Sequence, residues 1–507
     1  MKKFGINEKS PIFIYLLIFA SFAVILSSIT LININNYNYF INYLIFSILF
    51  NLFPILTSLF FHSYSFLFLS FFMWCGFYLT FSIQLICYNK SYFSKLNNID
   101  FSNYKEINEI LEISIISIVP LIIIFFLSRN YKTRINLKNF KNLYKIYFNY
   151  KKKIIFLFLI FLVAMVLTNF SYDIYNRFIL YDDNIFIKYF YSYIFQIFLF
   201  SFFSYIIFFE TLKKNNFAII LIFIFSSFLI FTSILSREYI IFVSFFIFIF
   251  YFSKKNFLNL NFNNFIILFI YVILVVGNFY LTNLIRDNLH IYNYDLSLKE
   301  KKTEKFNEKK IHTEKKILPN NGIKEKKFSK LEQKTSLNNL DRYLYHLADI
   351  LINRFVGINE ISKIYHLENK GLELFLSSIV SKNKPDKSFF NRQLFDSDID
   401  KDAFLDNQLY KNIVSINLPG FVGFLYYSNS KIFIFISLIL ISILLLFFER
   451  IFLYLSGNPY FVSILCYLNI NKIVHFGHNP LDYYKTIIAI LITVFLFKAY
   501  NKFLYIK

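Results

Sequence analysis

Proline and glycine hardly occur in this chain: 8 and 10 in 507 residues, with 3 cysteines and a single tryptophan. So few turn formers argue against a β-sandwich or barrel built on tight turns. The cysteines, Cys75, Cys87 and Cys466, are odd in number, lie in or beside apolar runs, and have neither disulfide-framework nor zinc spacing. No glycine-rich phosphate loop, no H-E-x-x-H and no G-x-S-x-G is present, which removes the common nucleotide-driven, zinc-protease and serine-hydrolase readings. Acidic residues are also in deficit, 31 against 53 Lys and Arg, a formal charge of +22. The basic residues are spread among loops beside apolar spans instead of gathered on one soluble module, so the charge reports topology and no nucleic-acid partner is expected.

What abounds is apolar surface. Hydrophobic residues make up 57%, with 72 Phe and 39 Tyr, and the mean hydropathy is +0.51. One soluble core cannot bury this much, so an all-α polytopic membrane protein is expected. Runs of roughly 20 apolar residues fall near 11–32, 40–61, 64–88, 111–127, 154–170, 188–209, 217–235, 239–252, 265–284, 431–448, 451–470 and 484–501, about twelve spans, with 451–470 the weakest. The first run lacks a cleavage site and reads as a retained span.

Orientation follows from the basic stretch SRNYKTRINLKNFKNLYKIYFNYKKK (128–153), which has no acid and belongs in the cytoplasm. Counting outward puts both termini inside. It also puts 285–430 outside, as one large extracytoplasmic loop between an N-terminal membrane domain (1–284, about nine spans) and C-terminal membrane helices (431–507). Within the loop, 299–338 is Lys/Glu-rich and lacks apolar periodicity, which predicts a disordered, solvated excursion. By contrast, 340–367 has helical spacing with a break near Gly357, and INLPGFVGFLYY (416–427) is apolar but too short to span, the pattern of a re-entrant segment tolerated only against protein or a wet cavity.

Charge inside or at the edge of an apolar run marks candidate function. In ILSREYIIF, Arg237 lies roughly 25 Å along a helix from Lys254 and Lys255, which places it and Glu238 near the outer headgroups. Arg286 and Asp287 follow directly on the span 265–284, at the same boundary. In 340–367, Leu340, Leu344, Leu347, Leu351, Arg354 and Ile358 fall within an arc of roughly 80°, so Arg354 projects from an apolar stripe and requires either an internal carboxylate or a phosphate ligand. Arg342 is on the opposite side and His346 on the flank. Tyr343, Tyr345 and Phe355 have the shape to stack on sugar rings. His475 and His478 lack companions for a metal, and Asp182-Asp183 has no acidic counterpart in the first outer loop, so no metal site is expected.

The span count, the SRE at 236–238, the large late loop with NRFVG (353–357) and LPGFVGFLYY (418–427) together resemble the O-antigen and oligosaccharide repeat-unit polymerases of bacterial surface-polysaccharide pathways. The lysine-rich stretch 299–316 looks like an insertion in that layout. The resemblance implies a GT-C-like fold and a glycosyltransferase acting on undecaprenyl-pyrophosphate-linked glycan at the outer face of the inner membrane. It implies no cofactor, surrounding membrane lipid, and a chain-length regulator as partner. Arg237, Arg286 and Arg354 would grip the diphosphate, with His346 as acceptor base, Glu238 or Asp287 in reserve, and Arg342, Tyr343 and Phe355 at the substrate. An O-antigen ligase shares most of this layout. A lipid-linked oligosaccharide flippase shares the span count, although flippases normally lack so large an outer loop.

Overall fold

The computed structural model describes residues 11–34, 37–88, 99–129, 137–171, 355–380, 419–456, 459–474 and 487–496, with isolated positions elsewhere. All regular structure among them is helical. Among the described residues four helices are long and apolar enough to cross a membrane: α2 (Phe40–Leu59), α3 (Tyr64–Cys87), α4 (Tyr104–Ser128) and Lys431–Leu455, most of α9 (Lys431–Ser456). Around them lie α1 (Pro11–Ile32), α5 (Leu137–Ser171), the short helices α6 (Ile358–Tyr365), α7 (Leu372–Val380) and α8 (Gly420–Tyr426), then α10 (Pro459–Val474) and α11 (Ile487–Leu496). The predicted spans at 188–209, 217–235, 239–252 and 265–284 lie outside the described residues, apart from isolated positions.

Two boundaries differ from the hydropathy reading. Helix α4 starts at Tyr104 instead of residue 111, and Asn103 caps it by accepting from the Glu106 N–H at 3.3 Å. Its first turns carry Glu106, Glu109 and Glu112, which depress hydropathy without opposing helix formation. Helix α5 starts at Leu137, inside the stretch read as a basic loop, and breaks at Tyr150 (φ −116°, ψ 17°) before continuing through the predicted span. Leu137, Phe140, Leu143, Tyr144 and Tyr147 recur at helical spacing, a periodicity that averaged hydropathy does not register.

The core is aromatic. Phe46, Phe50, Phe53, Phe66, Phe68, Tyr43 and Tyr78 are fully buried, and Phe46 meets Phe50 with ring centroids 4.6 Å apart. Lipid tails are as apolar as these rings, so burial alone does not select one packing; close fit and hydrogen bonds do. Ser27 of α1 bonds Ser47 of α2 at 3.0 Å and the Tyr78 hydroxyl of α3 at 2.5 Å, and Trp74 Nε1 donates to Asn51 at 2.8 Å.

The two ends of the bundle are chemically distinct. The lower end joins the close of α2 and α4 to the start of α3. There the buried Glu449 of α9 accepts from Ser63 Oγ at 2.6 Å and from the backbone N–H groups of Tyr64 and Ser65 at 2.8 and 3.0 Å. A carboxylate on three donors at a helix N-terminus satisfies groups that lipid cannot. Glu449→Ala is expected to destabilise the bundle by about 3 kcal/mol, read as a lowered melting temperature in detergent; an unchanged melting temperature would remove this role. The upper end gathers residues 33–34, 37–39, 99–104 and 427–431 with the described pieces of the large loop. Under the predicted orientation it faces out of the cell.

Candidate functional site at the upper end

Two pieces of the predicted outer loop, 355–380 and 419–430, are built into the helix bundle. The cause is a convergence of three glycines. In α3, Trp74–Leu79 forms a π-turn, with Thr80 Oγ1 donating to the Cys75 carbonyl at 2.9 Å; such turns widen a helix and expose backbone. Gly76 stands there, about 18 Å along α3 from its Tyr64 end. A Cβ on Gly76 would lie 2.4 Å from the Val356 carbonyl oxygen, and one on Gly357 would lie 2.4 Å from the Gly76 carbonyl oxygen. The two backbones touch at half-span depth, where only glycine fits. Gly420, with φ +64°, abuts the Val356 side chain and the Val474 carbonyl, so α6, α8 and α10 meet at one place.

Helix α6 begins at Gly357, the predicted break, and the Glu360 carboxylate turns back to accept from the Gly357 N–H at 2.7 Å. Ile358, Ile361 and Ile364 are fully buried. All of Gly420–Tyr426 is buried too; of the two settings open to an apolar segment too short to span, protein or a wet cavity, it takes protein.

From the glycine contact α6 rises towards the upper end, carrying a polar line: Asn359, Ser362 and His366 recur at i, i+3 and i+7. Buried Gln84 of α3 donates to Asn359 Oδ1. Glu106 of α4, its side chain 1% exposed, accepts from Ser362 Oγ at 2.7 Å and faces His366 Nε2 at 3.3 Å through the same oxygen, Oε1. Its other oxygen, Oε2, is buried and has no hydrogen-bond partner among the described residues. His366 is 36% exposed. The Glu106 hydrogen bond raises its pKa against the effect of burial; Asp100 adds to the rise and Lys370 opposes it.

Beside this pair the Lys370 ammonium sits over the rings of Tyr365 and Tyr426, 5.1 and 4.9 Å from their centroids, and donates to the Tyr365 carbonyl at 2.8 Å and the Tyr426 hydroxyl at 3.3 Å. Burial lowers its pKa. The Gly371 N–H donates to the Tyr427 carbonyl at 2.8 Å, so the turn after α6 is tied to the end of α8. Lys431 at the head of α9 bridges Glu109 and Glu112 at 3.1 and 2.5 Å. The upper end thus presents a partly exposed imidazole and an aromatic-flanked ammonium over a buried carboxylate.

Of the residues singled out from sequence, Phe355 is described: it is half-buried, its ring 6.3 Å from that of Phe72 and tilted 54°. Arg237, Glu238, Arg286, Asp287, Arg342, Tyr343, Tyr345, His346 and Arg354 lie outside the described residues, as do Asp182, Asp183, His475 and His478. Sequence reading passed over Glu106, His366 and Lys370. A signal existed in the spacing Asn359, Ser362, His366 on one helical face, but nothing in the sequence pairs that face with α4. No family model, curated protein or solved structure matches the chain.

Proposed function

We propose that this protein is a GT-C-type membrane glycosyltransferase that polymerises undecaprenyl-pyrophosphate-linked oligosaccharide repeat units into surface polysaccharide, O-antigen or capsule, at the outer face of the bacterial inner membrane. The observation that carries the reading is the seating of two motif-bearing segments of the large loop in the bundle. Phe355–Gly357 of NRFVG locks onto Gly76, and Gly420–Tyr426 of LPGFVGFLYY packs beside it. A loop that served only as a solvated linker would have no need of backbone contacts at half-span depth.

In this reading both termini are cytoplasmic and the upper end faces outward, at the height where a lipid diphosphate is held. The donor glycan hangs from that diphosphate, and a hydroxyl of the acceptor repeat unit attacks its anomeric carbon. The new C–O bond forms as the bond to the phosphate oxygen breaks, and the lipid pyrophosphate leaves with the electron pair. No nucleotide drives the step, so the protein must align two lipid-borne sugars and stabilise charge growing on the diphosphate. Arg237, Arg286 and Arg354 take that second role. The planar fork of a guanidinium matches phosphate oxygens bidentately.

The test is purified full-length protein supplied with lipid-linked repeat units extracted from the producing cells and no other acceptor. A ladder of products differing by one repeat is the expected result. Transfer that requires added lipid A core would make the protein a ligase, and translocation in vesicles without new glycosidic bonds would make it a flippase.

A further inference from the structure

We propose that His366, oriented by Glu106, is the base that removes the proton from the acceptor hydroxyl. This rests on the glycosyl-transfer reading and assigns a role that sequence alone had given to His346, with Glu238 or Asp287 in reserve.

Glu106 is anchored in α4, its carboxylate buried and held by Ser362 Oγ, so its Oε1 is a fixed point. His366 presents Nε2 to that oxygen at 3.3 Å. A carboxylate on Nε2 selects the tautomer with the proton there and leaves the Nδ1 lone pair as the acceptor. Nδ1 has no partner among the described residues, and the ring is partly open at the upper end. His62, the other histidine among the described residues, sits at the lower end on Ser128 at 2.8 Å.

The unpaired Oε2 strengthens the case. Among the described residues Oε2 has no hydrogen-bond partner, while Oε1 meets Ser362 and His366, so an imidazolium formed during reaction gains a full ion pair with Glu106. The balance is complete. The acceptor hydroxyl proton passes to Nδ1, the acceptor oxygen bonds the anomeric carbon, the pyrophosphate leaves with the electron pair, and the imidazolium returns its proton to water. Lys370, four residues on, is placed to meet negative charge on the same side. Glu106 touches no reacting atom and is a positioning residue.

The groups facing His366 are Glu106 from α4, Asp100 from the segment before it and Lys370 from the following turn. The base must be neutral to act, so the rate should rise with pH through the titration of His366, at a point displaced upward mainly by Glu106. In the elongation assay, His366→Ala is expected to lose about 100-fold or more in rate, with partial recovery on adding imidazole, which restores a base but not a structural contact. Glu106→Gln should retain measurable activity with the inflection of its pH–rate profile moved to lower pH. Activity of His366→Ala within about threefold of wild type, or an unmoved inflection in Glu106→Gln, overturns the assignment. If Glu106→Gln fails to fold, imidazole rescue of His366→Ala decides alone. Wild-type protein that forms no glycosidic bond ends the polymerase reading and the base with it. Wild-type elongation that persists in His366→Ala ends only the base.

Discussion

Replacing Arg237 or Arg354 with alanine is expected to leave the protein inserted in the membrane and to abolish long chains, giving a surface glycan capped by a single repeat unit. In the proposed reaction the leaving group is a lipid diphosphate, and negative charge accumulates on it as the glycosidic bond breaks. Donors placed where charge develops contribute most in the transition state; losing one costs roughly 100- to 1,000-fold in rate. Polymerisation is iterative, so a loss of that size at each step leaves the first unit unextended. The lysine variants are expected to fall between wild type and alanine, because an ammonium keeps the charge but not the bidentate fork. Band patterns of surface polysaccharide, alongside immunoblots of membrane fractions for insertion, check this. Normal polymer length in either alanine variant would remove these arginines from the site.

Gly76→Ala and Gly357→Ala are each expected to destabilise the docked loop by about 3 kcal/mol, and the double variant by little more than either single. A methyl group at either position meets a backbone carbonyl oxygen at 2.4 Å, and backbone cannot step aside as the tip of a flexible side chain can. Once one substitution has parted Val356–Gly357 from the π-turn, the second has no contact left to break, so the effects should be far from additive. Parting the segments also strips Glu106 of Ser362 and His366 and leaves a buried carboxylate without compensation. Elongation should therefore fall together with stability. Thermal unfolding of the two singles and the double in detergent measures the coupling. Additive effects, or losses under about 1 kcal/mol, would show that the contact does not hold the loop in place.

Much of the fold was legible before any coordinates. Helices α2 and α3 begin at the predicted residues, 40 and 64, because long apolar runs leave a chain in lipid no option but a helix that satisfies its own backbone. Gly357 breaks the helical pattern where α6 begins, and Gly420–Tyr426 is buried against protein, one of the two settings, protein or a wet cavity, that its length and apolarity left open. The start of α4 was not legible. Glu106, Glu109 and Glu112 look like an aqueous flank when hydropathy is averaged, yet Lys431 bridges two of them and His366 faces the third. Those partners lie more than 250 positions away in the chain, and no local pattern reports them. The arginines were found for the opposite reason: each stands out against its own apolar surroundings, which are local.

Composition and periodicity alone determined that this protein is a helical membrane protein, roughly where its described long helices lie, and that the segment around Gly420 is too short to span. These follow from the cost of unsatisfied backbone and exposed charge in hydrocarbon, which acts on each stretch of chain independently. The meeting of Gly76, Gly357 and Gly420, and with it the pairing of Glu106 and His366, was decided only in three dimensions. Close backbone contact and a buried carboxylate's choice of partner depend on which surfaces remain to be filled after the helices have packed.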